Sequence, residues 1–358
     1  MNIQNMSLEE KFAQMLLIGL DVSEISDDII ELIEKYKIGG VVLYKSLYNT
    51  SDALIHVVNK LKKINNNNIP LFVAIDQENG RVNRFPKDIK RIYNARKQAE
   101  TNNLELIDEC NIITSKLLNL YGINMNFAPV LDICRNDKNK VIGNRSYGNN
   151  KEDIIKYGIP FMKTMQDNNI ISVIKHFPGH GLTTKDSHIF IPKINDISKM
   201  INEDVKVFET AIDNDCDAIM VGHLLVKGYG VLPATVNKKF LNDYLPKKYK
   251  GLVITDDLKM NVLKYIYGVN KSIKLAVEAG NDLLIVKYEN NDLNRVYKKL
   301  FNKVKIGFID ENRINISAKK IIEFKEKYKL NNDLISSDID VETINNEINL
   351  INEKIDLI

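Results

Sequence analysis

Lys175, His176, His180, Asp186 and His188 stand close together in one short stretch, and three of the five histidines of the chain are among them. Histidine has the unperturbed pKa nearest neutrality, so a cluster of it points to proton transfer. Asp186 and His188 are two residues apart and can meet if the loop bends there. A carboxylate against an imidazole fixes its tautomer and raises its basicity, and such a pair can act first as acid and then as base. Pro178, Gly179 and Gly181 permit a loop that swings over a ligand. The apolar run 171–174 reads as the end of a buried strand, which would hold Lys175 and His176 in place. A surface turn with incidental histidines is the weaker reading, because loop residues positioned by strand ends are where function concentrates.

Other strand-like runs end on chemistry in the same way. Residues 71–76 are apolar up to Asp76, and a Gly80-Arg81 loop follows, as expected of a ligand-facing rim. Asp76 as a mere helix cap is the competing reading. Residues 217–223 end on His223. The run 251–254 is fully apolar and stops at Thr255-Asp256-Asp257, which puts a carboxylate at the mouth of whatever the strands enclose.

Lys175-His176-Phe177-Pro178-Gly179-His180-Gly181 followed by Asp186-Ser187-His188 resembles the signature of the β-N-acetylglucosaminidases of glycoside hydrolase family 3. Asp76-Gln77-Glu78-Asn79-Gly80-Arg81-Val82 is similar to a second motif of that family, with Asn79 where glycine is usual. Asn tolerates left-handed backbone, so the turn is expected to survive. Phe127-Ala128-Pro129-Val130-Leu131-Asp132, the loop holding Arg145, the Pro233-Ala234 loop and Thr255-Asp256-Asp257 extend the resemblance over residues 8 to 328. It implies a retaining exo-hydrolase of terminal β-linked N-acetylglucosamine, with Asp256 as nucleophile and His188, held by Asp186, as acid/base. Asp76, Arg145 (in preference to Arg135), Lys175, His176 and His223 are then the sugar-binding residues, and no cofactor is implied. The implied substrate is a GlcNAc-containing oligosaccharide or a muropeptide carrying GlcNAc on anhydro-N-acetylmuramic acid, met during cell-wall recycling. Phosphorolysis at the same site stays open, because a neutral acid/base repels phosphate less than a carboxylate does. A zinc hydrolase using His176, His180, Asp186, His188 and His223 is the more distant rival.

The elements that must position these groups follow from periodicity. Ser7 and Glu10 form a capping box ahead of Leu8, Phe12, Met15 and Leu16 at helical spacing. Helices are expected over 51–64, 102–120, 151–168, 199–213, 272–279 and 311–327. Strands are expected up to Leu20 and over 39–44, 71–76, 122–132, 171–174, 217–223, 251–256 and 282–286. Eight strands separated by helices, with no hairpin signal, argue an α/β fold, a (β/α)8 TIM-type barrel in one domain. Its active site belongs at the carboxyl ends of the strands. Residues 1–330 form the barrel, and 331–358 are a short acidic helical tail whose stripe of Ile344, Ile348, Ile351, Ile355 and Ile358 is expected to pack back on it.

At 358 residues the chain suits one large barrel or two average domains. Its net charge of +3 is spread along the sequence, which gives nucleic-acid binding no support. Cys110, Cys134 and Cys216 are scattered and read as buried free thiols. No signal peptide or membrane-span run is seen, so a cytoplasmic monomer or weak homodimer is expected.

Overall fold

The computed structural model describes residues 3–136, 139–183 and 192–358. Eight parallel strands follow one another around a ring: β1 (Leu16–Leu20), β2 (Gly40–Leu43), β3 (Phe72–Ile75), β4 (Met125–Asn126), β5 (Ile171–Phe177), β6 (Ala218–Val221), β7 (Leu252–Thr255) and β8 (Leu284–Lys287). Leu17 pairs with Gly40, Gly40 with Phe72, Ala74 with Met125, Met125 with Ile171, Val173 with Ala218, and Ala218 with Leu252. β8 pairs with β1, and the ring closes between β7 and β8 through the bridge Ile254–Leu283. Helices cover the outside, so the strands are buried on both faces and read as unbroken apolar runs. β1, Leu-Leu-Ile-Gly-Leu, is buried along its whole length. This is the (β/α)8 barrel expected from the alternation of elements.

Two elements depart from the expected pattern. β4 is two residues long rather than the run 122–132, because the Ala128 amide turns back onto the Asn126 carbonyl at 2.9 Å and Pro129, next in the chain, has no N–H to give the ladder. Pairing resumes for one step at Val130–Lys175. The helix expected over 199–213 is interrupted by a π-helical segment, Met200–Val205, between Ile197–Lys199 and Lys206–Asp213. That segment carries Asp204, which lies against Gly179 of the loop after β5.

Ser51–Ile64 and Glu311–Lys327 match their expected bounds, and the Ser7–Glu10 capping box is formed. The tail helix Val341–Asp356 buries Ile344, Ile348, Ile351 and Ile355, leaving Ile358 exposed. It packs on the helix Leu104–Leu120, with Glu347 on Lys116 at 2.9 Å and Lys354 on Glu109 at 2.7 Å. Asn345 accepts from the Lys90 amide at 2.7 Å. No helix among the described residues is long and apolar enough to cross a membrane.

Candidate active site

The carboxyl ends of the strands open into a cavity of about 750 Å³. Asp76, Glu78, Arg145, Lys175, His176 and Asp256 all line it. Lys175, at the end of β5, is almost wholly buried and bridges two acids, Asp76 Oδ1 at 2.7 Å and Glu78 Oε1 at 2.6 Å. Glu78 also takes Arg145 as a fork, Nε on Oε2 at 2.6 Å and Nη2 on Oε1 at 2.7 Å. Burial pushes the Glu78 carboxyl up, but Arg145 and Lys175 overcome this and hold it well below the usual carboxylate range. The result is an alternating row Asp76–Lys175–Glu78–Arg145 along the cavity wall, with Arg145 held further by its Nη1 donating to the Val141 carbonyl at 2.9 Å.

The turn that carries Asp76 and Glu78 does require left-handed backbone. Asn79 sits at φ 67° and Gly80 at φ 61°, so Asn serves where glycine was expected. Gln77 fastens the loop, accepting from the amides of Arg84 and Phe85 and donating to Asn79.

Asp132, fully buried, holds His176 near the end of β5 and His180 in the loop after it. His176 Nδ1 donates to its Oδ2 at 2.7 Å, and the His180 amide donates to its Oδ1 at 2.6 Å. Burial raises the Asp132 carboxyl, and His176 and His180 draw it below its ordinary value. With Nδ1 committed, His176 keeps Nε2 for a ligand. The Thr183 hydroxyl donates to the His180 carbonyl at 2.9 Å and so receives His180 Nδ1–H at 2.8 Å. Burial keeps that imidazole neutral, with its pKa lowered to about 4, and its Nε2 is buried in the cavity wall without a partner among the described residues. Gly181 allows the loop to lie this close, since a Cβ there would come within 1.7 Å of the Ile133 carbonyl oxygen.

The two carboxylates after β7 differ. Asp257 Oδ1 accepts from the amides of Lys259 at 2.9 Å and Lys287 at 3.1 Å, and burial raises its pKa. Among the described residues Asp256 accepts only from the Asp257 amide, at 2.8 Å. Burial pushes Asp256 up, yet His223, His176 and Lys175 bring it below its ordinary value. Asp256 is thus the ionised acid facing the cavity, and Asp257 the one engaged in holding the turn.

His223 is not part of the cavity wall. Its Nδ1 meets the Thr235 hydroxyl at 2.8 Å and its Nε2 the Asp257 carbonyl at 2.9 Å, so both nitrogens are taken by protein and none is left for a sugar. Asp186 and His188 lie outside the described residues. Arg135 pairs with Glu203 and Asp204 and is not among the residues lining the cavity, whereas Arg145 is. Among the described residues no group of three or more His, Cys, Asp or Glu is placed to hold a metal ion.

Glu78, Asp132 and Arg84 were not singled out from sequence. Glu78 and Asp132 stand inside quoted motifs, and their signal is burial, which only the fold reveals. Arg84 lines the cavity beside Tyr44, with no carboxylate partner among the described residues and its Nε buried without an acceptor. Nothing in the sequence separates it from Arg81, whose Nη2 is used up on the carbonyls of Lys140, Val141 and Ile142.

Comparison with known proteins gives a consistent result. The profile of the Glycosyl hydrolase family 3 N terminal domain matches residues 7–324. A beta-hexosaminidase of Tolumonas auensis is 31% identical over 280 residues, 75% of this chain and 81% of its own length. One from Vibrio cholerae is 30% identical over 276 residues, again 75% of this chain and 81% of its length. The structure of a glycoside hydrolase family 3 beta-N-acetylglucosaminidase from Paenibacillus sp. str. FPU-7 superimposes with a TM-score of 0.89 at 31% identity, covering 98% of this chain and 69% of that one.

Proposed function

The chain belongs to glycosyl hydrolase family 3, and from that premise we propose that it is a retaining exo-β-N-acetylglucosaminidase working through a glycosyl-aspartate intermediate. The observation that carries this reading is the contrast at the end of β7. Asp256 is held ionised in the wall of the same cavity that the row Asp76–Lys175–Glu78–Arg145 lines. The Asp256 carboxylate attacks the anomeric carbon as the glycosidic bond breaks, while His188 gives its proton to the departing oxygen. Water then attacks the same carbon, losing its proton to His188 and releasing Asp256. Asp186 orients His188 throughout. An imidazole suits the second role because it titrates near neutral pH without the raised pKa a carboxylic acid would need.

Asp76, Arg145, Lys175 and His176 bind the hydroxyls of a terminal sugar, which favours removal of single residues from the non-reducing end. The substrate we infer is a cell-wall fragment bearing GlcNAc on anhydro-N-acetylmuramic acid, met in the cytoplasm. An aryl β-N-acetylglucosaminide should be cleaved far faster than the aryl β-glucoside, and NMR should show the β-anomer of GlcNAc first, with or without added phosphate. Equal rates on the two sugars, or an α-anomer first, would overturn the assignment. A sugar 1-phosphate formed in phosphate buffer would establish phosphorolysis instead.

A further inference from the structure

His223 and the Pro233-Ala234-Thr235 loop are left without a role by the chemistry above, yet they are among the best-anchored parts of the molecule. We infer that His223 is a positioning residue that fixes the Asp256–Asp257 turn from behind, with Thr235 setting its orientation. This inference rests on Asp256 being the nucleophile.

His223 is buried, outside the cavity wall, and sits directly after β6. A backbone carbonyl can only accept, so the 2.9 Å contact from Nε2 to the Asp257 carbonyl makes Nε2–H the donor. At the other nitrogen, Thr235 Oγ1 lies 2.8 Å from Nδ1 and 2.7 Å from the Gly222 carbonyl oxygen. Thr235 is itself fixed, its carbonyl taking Asn281 Nδ2 at 2.8 Å, and the neighbouring Ala234 amide donates to Leu224 at 2.8 Å. The loop therefore clamps the imidazole, and the imidazole clamps the turn.

The rest of that turn is held from its two sides. The Asp256 amide donates to Val221 on β6 at 3.1 Å, and Asp257 Oδ1 accepts from Lys287 on β8. The Asp257 carbonyl also accepts from the Met260 amide at 3.0 Å, but that tie lies within the turn and moves with it, so His223 is what joins this carbonyl to the end of β6. The Asp257 amide that donates to the Asp256 carboxylate belongs to the same residue as that carbonyl. Losing the His223 bond thus leaves that carbonyl tied only within its own turn and loosens the direction in which Asp256 points. A nucleophile displaced by an ångström loses rate without losing sugar affinity.

Purified wild type and Asp256→Ala are assayed first on an aryl β-N-acetylglucosaminide, since turnover abolished by Asp256→Ala establishes the nucleophile independently. His223→Phe, His223→Gln and Thr235→Val then follow, with kcat, KM and the inhibition constant for free GlcNAc measured on each. His223→Phe should lower kcat by about 10²-fold, with the GlcNAc constant within twofold of wild type. His223→Gln, whose amide can still donate to the Asp257 carbonyl, should recover part of the loss. Thr235→Val should lower kcat by less, again with binding unchanged. Should His223→Phe fail to fold, His223→Gln and Thr235→Val decide the matter: kcat unchanged in both overturns the inference. A weakened GlcNAc constant with kcat preserved in any of them also overturns it, making His223 a substrate contact.

Discussion

Glu78→Gln removes one charge from the centre of the row and keeps the side-chain volume. Lys175 and Arg145 would then be two neighbouring buried cations with no anion between them. Loss of one partner from a buried ion pair costs about 3–5 kcal/mol. An unfolding entropy of about 2.1 cal/mol/K per residue over 358 residues gives ~0.75 kcal/mol/K. The expected fall in Tm is therefore about 4–7 °C at pH 7. The sign with pH follows from the lowered carboxyl. Folded Glu78 stays ionised below its ordinary value of 4.5, so on acidification the unfolded chain takes up the proton first. The stabilisation is fully present above that value and is lost as pH falls further. The gap in Tm between wild type and variant should be constant from neutral pH down to about 5 and narrow below it. Thermal melts followed by circular dichroism between pH 3.5 and 8 measure this. The same variant should lose about 10²-fold in kcat/KM, because Lys175 and Arg145, which we propose hold the sugar, are no longer fixed by Glu78. An unchanged Tm at pH 7 with kinetics within twofold would refute the ion-pair reasoning.

Asp132→Ala should release His176 and His180 together, lowering kcat/KM on the aryl GlcNAc substrate by about 10²-fold; activity within threefold of wild type would contradict the shared anchor. His188→Ala should nearly abolish activity on the natural disaccharide. On an activated aryl substrate it should give a burst and then stall, with azide restoring turnover, since azide needs no general base; no burst and no rescue would remove His188 from the acid/base role. Ile348→Asp should destabilise by about 2–5 kcal/mol, because a charge would replace a fully buried apolar chain between the tail helix and the barrel. A melt indistinguishable from wild type would show that the tail contributes nothing to the fold.

The barrel was legible because parallel strands covered on both faces leave uninterrupted apolar runs, as in β1, β3 and β7, each ending at a polar residue or a turn. The turn of Ala128 back onto Asn126, followed by Pro129, shortens β4, and the apolar run around it hides this, since period alone registers neither a redirected amide nor a missing N–H. The π-helical segment at Met200–Val205 was equally hidden, because the helical spacing of Ile201, Val205, Phe208 and Ile212 is kept across it. At the site, Asp76, Lys175, His176 and Asp256 stand out as polar residues ending apolar strands, and the structure brings them into one cavity. Arg145 comes from a loop and was reached only through the resemblance. Glu78 and Asp132 escape notice because their importance lies in what surrounds them, a pair of cations and a pair of histidines from distant segments. His223 shares the strand-end signature of Lys175, yet it faces the neighbouring turn instead of the cavity, a difference of side-chain direction that spacing does not encode.

Asp256 as nucleophile is tested most directly by trapping the glycosyl-enzyme. Wild-type protein incubated with a fluorinated N-acetylglucosaminyl inactivator, digested and mapped by mass spectrometry, should carry one sugar on Asp256. Asp257→Asn should still be labelled there, and Asp256→Ala should not be labelled at all. A label on Asp257, or inactivation with no covalent adduct, would contradict the assignment of Asp256.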